Sequence, residues 1–102
     1  MMSLPSGSYI FRCLGSIVGA RFLDGRTADG TVGLALDSDS LIHSGTYWDV
    51  QAFSEGTYTV RCLGNTDGNR FLDGRTSDGT VGLAPAPGGQ FTGAIWGIYT
   101  SI

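Results

Sequence analysis

Hydrophobic and polar residues alternate in short segments along this chain, separated by turns rich in glycine and aspartate. In the segment 8–14, Tyr9, Phe11 and Cys13 recur at every second position and therefore share one face of an extended chain. The segment 57–63 repeats this alternation. A period of two residues predicts β-strands, and the 3.6-residue apolar period of an amphipathic helix is not found. The pattern predicts an all-β protein.

The alternation recurs because the chain contains a duplication. A shift of 49 residues aligns Gly7–Ala35 with Gly56–Ala84, and 21 of the 29 aligned pairs are identical. The phrase "RFLDGRTADGTVGLA" returns with a single change, from alanine to serine. Beyond this stretch the second copy is one residue shorter, so that Trp48 aligns with Trp96. We therefore expect a single domain, 1–102, made of two repeats.

The repeats span 7–50 and 56–98, and each predicts four short strands. The predicted strands are 8–14, 21–24, 31–35 and 46–50 in the first repeat, and 57–63, 70–73, 80–84 and 94–98 in the second. An Asp-Gly pair closes the link between the second and third strands of each repeat. It is a strong hairpin signal, because Gly30 and Gly79 can adopt a positive φ. Repeats of this length with four strands fit either propeller blades or trefoil lobes.

A set of short motifs favours the trefoil. The stretch "FLDGRTSDGTVGLAPAPGGQFTGAIW" contains a Leu-Asp pair, a Gly-x-Val, an Ala-Pro, a Gly-Gly loop and a closing tryptophan. With these motifs it resembles one lobe of an R-type (ricin B-chain-like) lectin, and the resemblance recurs in the first repeat. The resemblance implies β-trefoil-type lobes and carbohydrate binding without catalysis.

The chain departs from the family pattern at two places. The family has a glutamine two residues before the closing tryptophan, where this chain has Thr46 and Ala94. The family also has an aromatic residue after the valine of Gly-x-Val, where this chain has Gly33 and Gly82. The second departure changes the shape that a sugar site would have.

The number of repeats bears on assembly. A trefoil has three lobes, in each of which the first and fourth strands build the barrel, and two lobes supply only four such strands. Small barrels close with roughly six to eight strands. We therefore expect a homo-oligomer, with dimer and trimer both open. The alternative is a self-contained eight-stranded barrel or sandwich with Trp48 and Trp96 in its core.

The resemblance also indicates site residues. Asp24 and Asp73 match the family's sugar-binding aspartate, and a carboxylate accepts charge-strengthened hydrogen bonds from neighbouring sugar hydroxyls. The structural alternative is that each aspartate caps its hairpin or pairs with Arg26 or Arg75.

Four further residues are weaker candidates for the same site. His43 aligns with Phe91, and flat side chains at these positions could stack on the apolar face of a sugar; the alternative is packing against the barrel rim. Gln90 and Tyr47 are candidates for the edge of the site. The two cysteines, Cys13 and Cys62, are expected to be small buried apolar residues.

Composition narrows the class of function. The chain has six arginines, no lysine and a net charge of −3, which disfavours nucleic-acid binding and adsorption to membrane surfaces. No apolar run approaches the roughly 20 residues of a membrane span. The first residues lack the features of a signal peptide, which predicts a cytoplasmic location. No motif for a metal, a cofactor or a hydrolase nucleophile is found.

These observations lead to three hypotheses. The first is a non-catalytic lectin with one shallow glycan site per repeat, made multivalent by assembly. The second is a trefoil-type protein-binding module such as a cytoplasmic protease inhibitor, favoured by the missing aromatic residue. The third is a glycosidase that uses Asp24 and Asp29 as paired carboxylates, for which nothing else in the sequence argues.

Overall fold

The fold is all-β, as the alternating pattern predicts. The computed structural model describes residues 5–15, 19–38, 43–64 and 67–99. Its strands are β1 (Gly7–Tyr9), β2 (Phe22–Arg26), β3 (Thr31–Ala35), β4 (Trp48–Ser54), β5 (Thr57–Cys62), β6 (Phe71–Arg75) and β7 (Thr80–Ala84). Two short 3-10 turns, η1 (Ser44–Thr46) and η2 (Thr92–Ala94), occupy equivalent places in the two repeats. Among the residues described, no helix has the length and apolar character that a membrane crossing requires.

The strands form one antiparallel sheet in the order β1-β4-β5-β6-β7-β3-β2. The sheet curls into a half-barrel, and its two ends approach each other where Arg12, just beyond β1, bridges Phe22 of β2. The strand predicted at 94–98 is reduced to a bridge between Trp96 and Tyr58. A regular strand needs a partner along its length, and in the described part of the chain this segment pairs only at that bridge.

The two predicted hairpins are confirmed. β2 pairs with β3, and β6 with β7, in the same register in both repeats. Gly30 and Gly79 have φ angles of 75° and 76°, and each donates its N–H to the carbonyl of the arginine four residues earlier. The Asp-Gly signal therefore identified the turn correctly, although the strands extend further, to Arg26 and Arg75.

The two repeats meet where β4 pairs with β5, and we call this pairing the repeat seam. It begins with Trp48 opposite Cys62, and an ion pair of 3.6 Å between Arg61 Nη2 and Asp49 Oδ2 crosses it. The core packs on its inner side; its buried members are Trp48, Val50, Tyr58, Val60, Cys62, Leu72 and Leu83. The seam therefore carries most of the apolar burial of the fold.

Both cysteines and both tryptophans were expected to be buried, and for each residue type only one of the two copies is fully buried. Cys62 is fully buried, and this burial raises the pKa of its thiol, but Cys13 is exposed, contrary to expectation. Trp48 is fully buried as predicted, whereas Trp96 is only partly buried. Both indoles nevertheless donate to the equivalent backbone oxygen, Trp48 Nε1 to that of Leu23 at 3.1 Å. Cys62 lies opposite Trp48 in the pairing of β4 with β5, whereas the pairing of β1 with β4 ends at Tyr9, before Cys13.

In each 3-10 turn a glycine lies in close contact with the backbone of the neighbouring hairpin. A methyl group on Gly45 would overlap the carbonyl oxygen of Gly25, and one on Gly93 would overlap that of Gly74. Only a residue without Cβ permits this approach, and the same contact occurs in both repeats. The glycines thus hold each turn against the strand that carries the candidate aspartate.

This contact predicts the effect of adding one methyl group. Gly45→Ala should lower the free energy of unfolding by about 1–3 kcal/mol, because the backbone must shift to relieve the overlap. Gly19→Ala is the control, since a Cβ there would meet no atom within 4 Å. Urea unfolding followed by tryptophan fluorescence compares the two variants. Equal midpoints would show that the turn is not held by this contact.

Candidate functional site

The two candidate aspartates are each paired with an arginine two residues further along the same strand. Asp24 Oδ2 lies 3.6 Å from Nε of Arg26, and Asp73 Oδ2 lies 3.7 Å from Nε of Arg75. Residues two apart in a strand lie on the same face, so the pairing follows from the strand itself. The aspartate side chains are 16% and 14% exposed, whereas those of the arginines are 51% and 46% exposed. Each pair offers solvent an open guanidinium beside a largely covered carboxylate.

A glycine on the facing strand makes room for the guanidinium. Gly33 of β3 is the register partner of Asp24, and a Cβ on Gly33 would lie 2.5–2.9 Å from the guanidinium atoms of Arg26. Gly82 and Arg75 repeat the arrangement. These glycines occupy the position at which the lectin pattern has an aromatic residue. A planar guanidinium therefore covers the strand there.

Pairing with Arg26 and Arg75 is the structural alternative that the sequence offers for the two aspartates, and the structure shows both pairs; the two arginines were not among the candidate site residues. Two features of the sequence point to these arginines as part of the site surface. Both recur at equivalent positions, and Gly33 and Gly82 stand where the family pattern has an aromatic residue. Arg21 and Arg70, the other arginines that flank the hairpins, donate to backbone carbonyls. Nη1 of Arg21 lies 3.2 Å from the oxygen of Cys13 and 2.6 Å from that of Gly15, and Arg70 makes the equivalent contacts. These two arginines bind neighbouring loops.

His43 and Phe91 occupy equivalent positions, which supports the alignment of the two loops. Each immediately precedes its 3-10 turn, with φ and ψ of −121° and 58° for His43 and −107° and 56° for Phe91. His43 Nε2 lies 3.7 Å from Asp37 Oδ1, and the His43 side chain is 30% exposed. Because η1 packs against β2, His43 lies at the start of the turn that contacts the strand of Asp24.

Tyr47 and Gln90 are placed differently from each other. The hydroxyl of Tyr47 donates to the backbone oxygen of Ser38, so this side chain ties η1 to the preceding loop. Gln90 is exposed at the tip of a tight turn that is closed by reciprocal backbone hydrogen bonds between Gly88 and Phe91. Gln90 is accessible, whereas the polar group of Tyr47 is already engaged.

Asp29 and Asp78 shape the hairpin turns. Oδ1 of Asp29 accepts hydrogen bonds from the hydroxyl of Thr31 at 2.6 Å and from its N–H at 3.1 Å, and Asp78 does the same with Thr80. The hydroxyl hydrogen bond is the main reason that the pKa of each carboxyl lies below its ordinary value. A general acid of a glycosidase needs a raised pKa, so the shift runs against that role for Asp29.

Metal binding was not expected from the sequence. Within residues 5–15, 19–38, 43–64 and 67–99, no three histidine, cysteine, aspartate or glutamate side chains gather in a way that could hold an ion. What the site presents is therefore an anionic acceptor and a cationic donor, fixed side by side once per repeat.

The turn geometry predicts a pH effect. Thr31→Val should raise the pKa of Asp29 towards its ordinary value by removing the hydroxyl donor, while the pKa of Asp78 stays unchanged. Because the folded pKa of Asp29 lies below its unfolded value, its contribution to stability is present above the unfolded pKa and is lost as the pH falls through the folded one. Titration of the carboxyl carbons by NMR tests this. Unaltered Asp29 titration in the variant would contradict the assigned cause.

Comparison with known proteins adds no assignment. Neither the family models, nor the curated proteins, nor the solved structures include a match to this chain. The resemblance to R-type lectins accordingly rests on the short repeated motifs of the sequence.

Proposed function

We propose that this chain is a non-catalytic carbohydrate-binding protein, built of trefoil-type lobes like those of R-type lectins, with one shallow glycan site in each repeat. The observation that supports the proposal is the recurrence of one arrangement. In both repeats an aspartate–arginine pair rests on a glycine, with the guanidinium open to solvent.

The chemistry of the pair suits vicinal sugar hydroxyls. A carboxylate accepts hydrogen bonds and a guanidinium donates several from a rigid plane, so the two together complement hydroxyls that are both donors and acceptors. The plane of Arg26 or Arg75 also provides the flat surface that an aromatic residue provides in the family. His43 and Phe91 lie at the start of the turns that pack against β2 and β6, the strands of the two pairs.

A protein-binding module, such as a protease inhibitor of the trefoil type, is the second candidate. Exposed apolar side chains on and beside the hairpins favour it, since Leu34 is 43% exposed, Leu36 74% and Val81 44%. Apolar side chains that form a patch on the surface mark sites of protein contact. Competition separates the two candidates, because free sugar displaces a lectin from its ligand and leaves an inhibitor bound.

The site predicts a loss of binding without a loss of fold. After a glycan array has identified a bound sugar, the double variant Arg26→Gln with Arg75→Gln should bind it about ten to a hundred times more weakly, since a hydrogen bond to a charged group contributes about 1.5–3 kcal/mol. Titration calorimetry measures the affinity. Arg12→Gln, an exposed arginine that belongs to neither aspartate–arginine pair, is the matched control and should bind normally.

Single-site variants sharpen this test. Asp24→Asn alone should leave the site of the second repeat intact and reduce the stoichiometry from two sugars per chain to one, and Asp24→Asn with Asp73→Asn should abolish binding. Melting temperatures close to that of the unaltered chain would separate lost binding from lost folding. An array without a single bound glycan would refute the lectin proposal, and full affinity in the double variant would place the site elsewhere.

A further inference from the structure

Equivalent residues of the two repeats differ in burial in a systematic way. In the fourth strand, Trp48 and Val50 of the first repeat are 0% exposed, whereas their counterparts Trp96 and Ile98 are only partly buried. Equivalent side chains of the fourth strand are therefore fully buried in the first repeat and partly exposed to solvent in the second.

The first strands show the opposite difference. The second repeat is closed here, since Tyr58, Val60 and Cys62 are all buried. Their counterparts in the first repeat are open, as Tyr9 and Phe11 are only partly buried and Cys13 is exposed. In each repeat the side chains of one strand are thus buried and those of another are more exposed. The more exposed strand is the first one in the first repeat and the fourth one in the second repeat.

The repeat seam explains both differences. It joins the fourth strand of the first repeat to the first strand of the second, and these are the two strands that are closed. The first strand of the first repeat and the fourth segment of the second are the two that the seam does not use. The chain therefore contains one completed seam and the two segments of a second seam that is not formed. We call these two segments, 7–13 and 96–99, the open halves.

The two open halves border the same cleft. Phe11 of one half and Trp96 and Ile98 of the other line an apolar cleft of about 100 Å³, over Leu23 and Leu72. In the described residues β1 pairs with β4, and the segment at 96–99 pairs with Tyr58, so the two halves are not paired to each other. Closing them on each other would require a barrel of four strands, which is too narrow to hold side chains.

The register of the repeat seam can be transferred to the open halves by the repeat alignment. In the seam, Trp48, Val50 and Gln51 lie opposite Cys62, Val60 and Thr59. The equivalent pairs between the open halves are Trp96 with Cys13, Ile98 with Phe11, and Tyr99 with Ile10.

The pair of Tyr99 with Ile10 differs in polarity from the equivalent pair of the repeat seam. In the closed seam the equivalent pair is polar, with Gln51 exposed and Thr59 buried. On the open halves the same positions hold Tyr99, 78% exposed, and Ile10, 43% exposed. Among the described residues, these two edges are unpaired and carry large apolar side chains at the positions where the paired edge carries polar ones. Burial by a partner accounts for this difference.

We propose that a second copy of this chain covers the open halves. The segment 96–99 of one copy pairs antiparallel with 7–13 of the other, and the reciprocal pairing follows from a two-fold axis, so that both open halves of both copies are closed. The interface is continuous with the repeat seam and repeats its register. It also removes strand edges that would otherwise invite aggregation.

The strand count selects two copies. Each chain contributes β1, β4, β5 and the segment at 96–99, so two chains supply the eight strands whose barrel interior side chains can fill. Three chains joined in the same way into one ring would give twelve strands, and so a wider barrel than the eight-stranded one whose interior side chains fill. This inference does not depend on the proposed function; if both hold, the dimer carries the glycan sites of four repeats.

Solution mass tests the assembly. Sedimentation equilibrium at micromolar concentration should give twice the chain mass of 10.7 kDa. Ile10→Arg with Tyr99→Arg should give the monomer mass with an unchanged circular dichroism spectrum, because both side chains are exposed and lie outside the core. Leu36→Arg, exposed but away from the open halves, is the control and should remain dimeric. A monomeric unaltered chain would overturn the proposal, and so would a trimer.

Cross-linking tests the register. With Cys13→Ser in the background, Ile10→Cys with Tyr99→Cys should oxidise to a dimer on a non-reducing gel, since directly opposed strand residues are close enough for a disulfide. The matched control is Gln51→Cys with Thr59→Cys, the equivalent pair in the repeat seam, which should cross-link within one chain. Efficient cross-linking of the control without a covalent dimer of the other variant would show that the open halves do not pair in this register.

Discussion

The pairing of β4 with β5 is the interaction on which the rest of the structure depends. It places the fourth strand of the first repeat beside the first strand of the second, and the fully buried side chains Trp48, Val50 and Cys62 pack along it. Backbone hydrogen bonds and apolar burial thereby act on the same strands. Without this pairing each repeat would stand alone, and a unit of that size buries too little apolar surface to be stable by itself.

The hairpins of the two repeats add a second contact, in which β3 pairs with β7 at Thr31 and Gly82. The candidate sites lie on these same hairpins, on paired strands rather than on a long loop. The glycine facing each aspartate serves two purposes there: it leaves room for the guanidinium, and it brings the arginine flat against the sheet. The absence of a side chain at Gly33 and Gly82 thus determines where the guanidinium groups of Arg26 and Arg75 lie on the surface.

The duplication has different consequences for the sites and for the core. The aspartate–arginine pairs have nearly the same geometry in both repeats because each is made within one hairpin. Core residues are not equivalent, because their burial depends on what lies beyond the repeat. A module whose sites are local and whose core is shared can multiply binding sites through assembly, which suits weak, shallow recognition.

Local features of the sequence predicted much of this structure. The two-residue alternation predicted the all-β class, Asp-Gly predicted turns that indeed have a positive φ at Gly30, and the repeat predicted that His43 and Phe91 would be equivalent. These features depend on residues close together in the chain, where backbone sterics and strand periodicity act directly.

Tertiary structure alone decided the order of the strands in the sheet, the reduction of the segment at 94–98 to a bridge, and the exposure of Cys13 beside the burial of Cys62. The two cysteines have nearly the same local sequence, so no local rule distinguishes them. Their difference arises because the pairing of β5 with β4 extends to Cys62, whereas the pairing of β1 with β4 ends at Tyr9, and burial is a property of neighbours distant in the chain. The sequence by itself determined the two repeats and their turns, whereas long-range pairing determined which face of each repeat is closed.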